Sequence, residues 1–245
     1  MLTFLFASIY VAINGVSSLA RLCETFEPLV IGAMGLVIIL SFKNFNFEEL
    51  LPAFKQDVLS WIYPIPSIAL SYFGFEILLF ITPFTKEPNK VLKYGLIGIL
   101  PAILLYSAFV TVCIGTCGAE VTSHTIYPAL QLAKYIAFPG AFAERFDIFF
   151  MIFWVLGSYT SLSSYFYLAS LSITKTLGLR NYRPFVILNV PLIYMLGLVP
   201  QNKKEIFQFS RYVSYMGVLV LAIVVLLFIM AVVLKKGRGK NEQKA

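Results

Sequence analysis

Long apolar runs alternate with short polar connections along this chain of 245 residues. A helix that crosses a membrane needs about 20 predominantly apolar residues, and most of the runs approach or exceed that length. The pattern therefore predicts an all-α polytopic membrane protein with about seven transmembrane helices. The predicted spans lie near 2–20, 28–42, 58–84, 94–117, 146–177, 185–199 and 213–234.

The remaining segments predict smaller features around a single transmembrane domain, 1–234. The segment 126–138 contains the letters YPALQLAKYIAF, in which polar positions are spaced among apolar ones as on an amphipathic helix. This segment is too short to span a bilayer, so we predict an interfacial or re-entrant helix. Residues 235–245 follow the last apolar run as a basic tail.

Composition agrees with a membrane location. Hydrophobic residues make up 59% of the chain and charged residues 13%, and the mean hydropathy is +0.84, whereas soluble domains carry about 25% charged residues. The net charge of +7 does not indicate nucleic-acid binding, because five of the nineteen Lys and Arg residues lie in the tail. Basic residues beside a span set its topology or contact anionic lipid.

The distribution of basic residues also predicts the orientation of the chain. If the C-terminus is cytoplasmic, twelve Lys and Arg residues lie on the inner side and seven on the outer side. Arg21 is counted with the inner connections. The positive-inside rule favours this arrangement, which leaves the N-terminus outside.

The third predicted span contains a glutamate in the stretch SYFGFEILLF. Glu76 is the only acidic or basic residue between Asp57 and Lys86, and a charge at mid-membrane costs about 2.5–3.5 kcal/mol on insertion scales. Pro64, Pro66 and Gly74 predict a broken helix around it, as in secondary transporters that bind substrates and ions at such breaks. One hypothesis is therefore a ligand-amine contact, a proton carrier or an ion ligand. The alternative is a protonated glutamate hydrogen-bonded to a neighbouring helix.

The fifth predicted span is rich in hydroxyl groups. Ser158, Ser161 and Tyr165 recur at helical spacing with Ser172, and further hydroxyls occupy the other faces: Thr160, Ser164, Tyr167 and Ser170. Such residues line a wet cavity, or they bond to helix carbonyls and let helices pack closely. The pattern leaves both interpretations open.

The sequence predicts neither an enzyme nor a metal or cofactor site. No nucleophile elbow, zinc-protease motif or phosphate-binding loop occurs in the chain. Cys113 and Cys117 lie one helical turn apart with His124 nearby, but this set has too few ligands for a defined metal geometry. Close packing explains the cysteines better.

Several motifs together resemble the spore germination permeases, the B-type subunits of endospore germinant receptors in the amino acid/polyamine/organocation transporter superfamily. The motifs are LARLCETFEPL, ELLPAF, FGFEILLFITPF, YPALQLAKYI and ERFDIFFMIFW, in this order. The resemblance implies a partial LeuT-like inverted repeat, with the family's broken sixth helix at 58–84. It places Gly74, Phe75 and Glu76 on the ligand-binding break and Tyr72 one turn before it, with Ser158, Ser161 and Tyr165 as further ligand contacts. Arg21 and the group Glu144, Arg145 and Asp147 match family motifs as well, and we expect them to hold loops in place.

The same resemblance implies the function. We expect a membrane subunit that binds a small nutrient such as an amino acid and triggers germination together with A-type and C-type receptor subunits. Its expected place is the inner membrane of a bacterial endospore, with a cytoplasmic C-terminus. The alternative is a proton-coupled amino-acid permease. Three helices of the family pattern are expected before Met1, so we expect either a fragment or a short form.

Overall fold

The structure is a computed structural model that describes residues 2–51, 57, 60, 62, 64–136 and 146–233. Within this part the chain is α-helical with short 3₁₀ turns and contains no strand, which confirms the predicted fold class. The helices are α1 (Leu2–Asn14), α2 (Val16–Ser41), α3 (Ile65–Tyr72), α4 (Ile77–Ile81), α5 (Val91–Cys117), α6 (Ala119–His124), α7 (Pro128–Tyr135), α8 (Phe146–Thr176), α9 (Arg183–Leu198) and α10 (Lys203–Val233).

Four segments of the described residues are long and apolar enough to cross a membrane. They are Val16–Asn44, Pro88–Cys117, Phe146–Thr176 and Lys203–Met230. They overlap the predicted spans 28–42, 94–117, 146–177 and 213–234, while the shorter apolar helices α1 and α9 overlap 2–20 and 185–199. The span predicted at 58–84 lies partly outside the described residues, as do Glu144, Arg145 and the tail 235–245. Seven membrane crossings stay a prediction.

The described chain divides into two compact units. Unit 1 comprises 1–54 and 77–197, and unit 2 comprises 55–76 and 198–245. In unit 1, α8 packs along α2 and α1 and contributes to two apolar clusters. The first cluster joins α1, α2, α8 and α9 through Leu5, Leu19, Phe166, Tyr167 and Val186. The second joins α2, α5, α7 and α8 through Val37, Val112, Leu132 and Phe150, and it also buries Cys113.

The boundary between the first two helices differs from the prediction. The sequence predicts a connection at 21–27, but α2 runs without interruption through Arg21, Glu27 and Pro28. The chain breaks instead at Gly15, whose φ of +83° is favourable for glycine, and a Cβ there would lie 2.9 Å from the Tyr182 hydroxyl. The charged residues of this segment suggest a loop, but the partner of Glu27 is Thr160 on another helix. The Asn-Gly pair at 14–15 is the turn signal that marks the actual boundary.

Unit 2 is built around the packing of α3 against α10. Pro64 precedes α3 and Pro66 lies in its first turn, where a missing backbone N–H costs no intrahelical hydrogen bond. The C-terminal half of α10 keeps most of its apolar surface exposed, including Leu226 and Phe228. This surface is suited to contact with lipid tails, as expected of an all-α membrane protein.

Candidate functional site

The helix predicted to break around Glu76 is interrupted there. Helix α3 ends at Tyr72, residues 73–76 form turns, and α4 begins at Ile77. Gly74 has a φ of +126°, a backbone conformation that residues with a Cβ rarely adopt. The break therefore depends on a glycine at this position, whereas the two prolines only help to start α3.

The break is stabilised by the glutamate itself. The N–H of Gly74 donates a hydrogen bond to Oε2 of Glu76 at a distance of 2.7 Å. Glu76 is half-buried, and among the described residues its other oxygen, Oε1, accepts no hydrogen bond and faces no ion-pair partner. Bonds from backbone amides to carboxylates are stronger than bonds between neutral groups. One carboxylate oxygen thus holds the turn, and no described residue bonds to the other.

The neighbouring predicted site residues frame this turn. Phe75 keeps 40% of its surface exposed, and Tyr72, at the last position of α3, is half-buried. The ring of Phe73 lies against Gly217 of α10, so closely that a Cβ on Gly217 would collide with it. Tyr72, Gly74, Phe75 and Glu76 therefore lie within five consecutive positions of unit 2, and their role as ligand contacts stays a prediction.

The hydroxyl groups of α8 lie on two different sides of that helix. Ser158, Ser161 and Tyr165, which the sequence analysis proposed as ligand contacts, are exposed on unit 1, and the hydroxyl of Ser158 donates to the carbonyl of Trp154 at 2.9 Å. The interior side carries other hydroxyls, which are buried: Thr160, Ser163, Ser170 and Thr174. The buried hydroxyls therefore differ from the three predicted ligand contacts, whose role as ligand contacts stays a prediction.

The buried row links α8 to other helices. Ser163 donates to Ser8 of α1 at 3.2 Å, and Ser170 accepts from the side-chain amide of Asn189 of α9 at 3.0 Å. Thr160 contacts Oε1 of Glu27 on α2 at 3.0 Å. Interhelical hydrogen bonds of this kind contribute about 0.6 kcal/mol each in membrane proteins. Their main effect is to fix the mutual register of α1, α2, α8 and α9.

Glu27 is the acidic residue that sequence reasoning missed. It was assigned to a connection, but it lies inside α2 and meets the midpoint of α8. Among the described residues, no group of three or more His, Cys, Asp or Glu side chains is arranged to hold a metal ion.

Comparison with known proteins identifies the family. The model of the family described as "Spore germination protein" matches residues 1–206. The chain belongs to this family. The match includes the break at 73–76 and the whole of α8, and it ends within the first residues of α10.

Individual relatives carry the same description. Spore germination protein A2 of Bacillus subtilis (strain 168) is 28% identical over 232 residues, which cover 94% of this chain and 63% of that protein. Spore germination protein B2 of the same organism is 25% identical over 97% of this chain and 65% of its own length. Spore germination protein GerLB of Bacillus cereus is 26% identical over 98% of this chain and 64% of its own length. This chain thus spans less than two thirds of each of these relatives. No solved structure matches it significantly.

The contact between Phe73 and Gly217 yields a first prediction. In this family member, Gly217→Ala should displace the Phe73 ring, because the added methyl group occupies the space of the ring. Overpacking of this kind typically costs about 1–3 kcal/mol. Thermal unfolding of the purified protein in detergent should therefore start at a lower temperature in Gly217→Ala than in the wild type.

Two further variants make this test specific. Gly98→Ala in α5 adds the same methyl group where no atom lies within 4 Å, so it should not lower the unfolding temperature. Phe73→Leu combined with Gly217→Ala should recover part of the loss, because the smaller side chain leaves room for the methyl group. Equal unfolding temperatures for Gly217→Ala and Gly98→Ala would contradict the described packing.

Proposed function

We propose that this chain is a membrane subunit of a nutrient germinant receptor, which binds a small solute such as an amino acid at the break around Glu76. The observation that carries the proposal is that the two oxygens of the Glu76 carboxylate differ in their hydrogen bonds. Oε2 accepts the Gly74 N–H, while Oε1 has no partner among the described residues. A ligand ammonium group is the complementary charge for such an oxygen, and an amino acid supplies one.

The residues of the turn suggest how the protein would recognise such a ligand. Glu76 supplies the charge, the exposed part of the Phe75 ring supplies apolar contact, and Tyr72 lies at the adjoining end of α3. The four residues between α3 and α4 form turns and lack the continuous hydrogen bonds of a helix. A change of their backbone conformation therefore costs less free energy than the same change inside a helix. Ser158, Ser161 and Tyr165 of unit 1 stay a separate prediction of further ligand contacts.

Signalling requires more than tight binding. A ligand shifts a conformational equilibrium only if it binds one state more strongly than the other. We propose that an ammonium group on Oε1 changes the preferred conformation of the break, and that the change is passed to A-type and C-type receptor subunits. The proposed location is the inner membrane of a bacterial endospore with the C-terminus in the cytoplasm. Family membership and the apolar helices support these proposals.

A second function is a proton-coupled permease for the same class of solute. The observation in its favour is again the carboxylate at a helix break, since secondary transporters place substrate and coupling-ion sites at discontinuous helices. In this case Glu76 would alternate between a protonated and a ligand-bound form. The receptor is preferred because the relatives are named for germination.

Two assays on the same gene separate these functions. Spores in which the gene is deleted, or deleted and restored, are exposed to a mixture of the standard L-amino acids, and germination is followed by the fall in optical density. Membrane vesicles that contain the protein are given the same mixture with ¹⁴C labels and an imposed proton gradient. Loss of germination on deletion without uptake into vesicles supports the receptor. Gradient-driven uptake with normal germination after deletion supports the permease and overturns the first proposal.

A further inference from the structure

The two longest helices of unit 1 run in opposite directions and define its two ends. Helix α8 begins near the cluster that contains Phe150 and ends near the cluster that contains Leu171. On α2, Leu19 belongs to the cluster of Leu171, and Val37 belongs to the cluster of Phe150. The last turns of α8 and the first turns of α2 therefore lie at the same end of unit 1.

Other helices bring basic side chains to this same end. Helix α5 begins here, because Val112 near its C-terminus belongs to the opposite cluster, and Phe80 of α4 packs against the cluster at the end of α8. The loop from α8 to α9 is held here by Tyr182, whose hydroxyl donates to the carbonyl of Ile13 at 3.2 Å. We call this region the basic end, and its cations are Lys86, Lys90, Lys93, Lys175, Arg180 and Arg183.

The charge of the basic end is largely uncompensated. In the part of the chain that the structure describes, the only ion pair joins Lys90 to Glu87 at 2.9 Å, and the other five cations of the basic end are exposed without an acidic partner. Arg21 and Glu24, farther along α2, cancel each other in charge. The described part of the opposite end carries acids together with bases: Lys43, Glu48, Glu49, Glu120, Lys134 and Asp147. An excess of positive charge thus marks one end of unit 1.

Lys175, in the last turn of α8, is held by an aromatic ring. Its Nζ lies 5.8 Å from the centroid of the Phe84 ring, within the range of cation–π attraction. Phe84 is more than half exposed. Attraction to the ring restrains the ammonium group without neutralising its charge, so the group can still bind an anion.

Exposed apolar side chains lie beside these cations. Leu96 and Ile97 follow Lys93 by one turn on the same face of α5, and both are more than half exposed. Next to Lys175, the exposed ring of Phe84 provides a similar surface. Helices α5 and α8 belong to segments that are long and apolar enough to cross a membrane. The ends of such helices meet the lipid headgroups, where basic residues contact anionic lipid.

We propose that the basic end of unit 1 binds an anionic phospholipid. Lys93 and Lys175 contact its phosphate group, and Leu96, Ile97 and Phe84 contact its acyl chains. A phospholipid matches both the cations and the apolar side chains, whereas a free phosphate ion matches the cations alone. The site lies wholly in unit 1, and it depends neither on the function proposed for Glu76 nor on which side of the membrane the basic end faces.

Native mass spectrometry of the purified full chain tests the proposal. The protein in detergent is titrated with phosphatidylglycerol, which is anionic, or with phosphatidylcholine, which has the same acyl chains and no net charge. We expect phosphatidylglycerol to bind at least about tenfold more tightly, because each basic residue near a lipid surface strengthens binding of anionic lipid by about fivefold. Inorganic phosphate at the concentration of the lipid should not displace it.

Paired substitutions locate the site. Lys93→Gln combined with Lys175→Gln should weaken the binding of phosphatidylglycerol at least about tenfold, and Lys93→Arg combined with Lys175→Arg should preserve it. The matched control is Lys43→Gln combined with Lys134→Gln, which removes two exposed lysines from the opposite end and should leave binding unchanged.

Several results would overturn the proposal, and the first two need no variant to fold. They are equal binding of the two lipids by the wild type, and displacement of phosphatidylglycerol by inorganic phosphate, which would identify a site for free anions. The third is wild-type affinity in the variant that lacks Lys93 and Lys175. The fourth is an equal loss of affinity in the control variant, which would show an effect of net charge without a defined site.

Discussion

Replacing Glu76 by Gln is expected to make spores at least about tenfold less sensitive to nutrient while the protein still accumulates in the membrane. Glutamine keeps the size of the side chain, and its carbonyl oxygen still accepts the hydrogen bond from the Gly74 N–H. The variant therefore preserves the turn but removes the negative charge that would meet a ligand ammonium group. Losing one partner of a buried, hydrogen-bonded charge pair costs about 2–5 kcal/mol. The nutrient concentration for half-maximal germination should rise by at least about tenfold.

The measurement is a germination dose-response curve of spores that carry each variant, with membrane levels checked by immunoblot. Glu24→Gln is the matched control, because it makes the same chemical change on an exposed residue of α2 and should leave the curve unchanged. A normal dose-response curve in Glu76→Gln would show that the carboxylate serves only as a hydrogen-bond acceptor within the turn.

Gly74→Ala is expected to have the second large effect. Gly74 has a φ of +126°, which residues with a Cβ rarely adopt. Holding such a residue in a sparsely populated backbone conformation costs about 1–3 kcal/mol of folding free energy. The chain relieves this strain by rotating the backbone at position 74, which moves the N–H away from Oε2 of Glu76. The carboxylate then loses the bond that orients it, and nutrient sensitivity should fall even if the rest of the protein folds.

Dose-response curves and thermal unfolding together check this expectation. Gly32→Ala in α2 is the control, since that glycine has no atom within 4 Å of the added methyl group, and alanine favours helix over glycine by about 1 kcal/mol. We expect Gly32→Ala to unfold at the same or a higher temperature with normal germination. Normal germination in Gly74→Ala would show that the conformation of the turn is irrelevant to function.

The sequence allowed the broken helix to be predicted because its causes are local. A glycine two residues before a lone acid in an apolar run is visible in the letters FGFE, and the turn at 73–76 lies at that place. The short helix α7 was predictable for the same reason, since Pro128 supports helix initiation and the apolar positions follow helical spacing. In both cases a few adjacent residues determine the structure.

Features that depend on distant partners were not predictable. Arg21 and Glu27 suggested a loop because charges are costly inside a membrane helix, yet Glu27 meets Thr160, which lies 133 residues away in the chain. The hydroxyls of α8 surround the helix, so periodicity alone does not decide which row is buried. Packing against α1, α2 and α9 decides it in favour of Thr160, Ser163 and Ser170.

Equilibrium binding tests whether Glu76 forms part of a nutrient site. Inner membranes from spores that carry the wild-type protein or Glu76→Gln are incubated with a mixture of ¹⁴C-labelled L-amino acids, and bound label is measured against an excess of unlabelled mixture. We expect saturable binding to the wild type that is at least about tenfold weaker in Glu76→Gln, in line with the loss of a charge pair. Equal binding to both membranes, or saturable binding to neither, would contradict a nutrient site at Glu76.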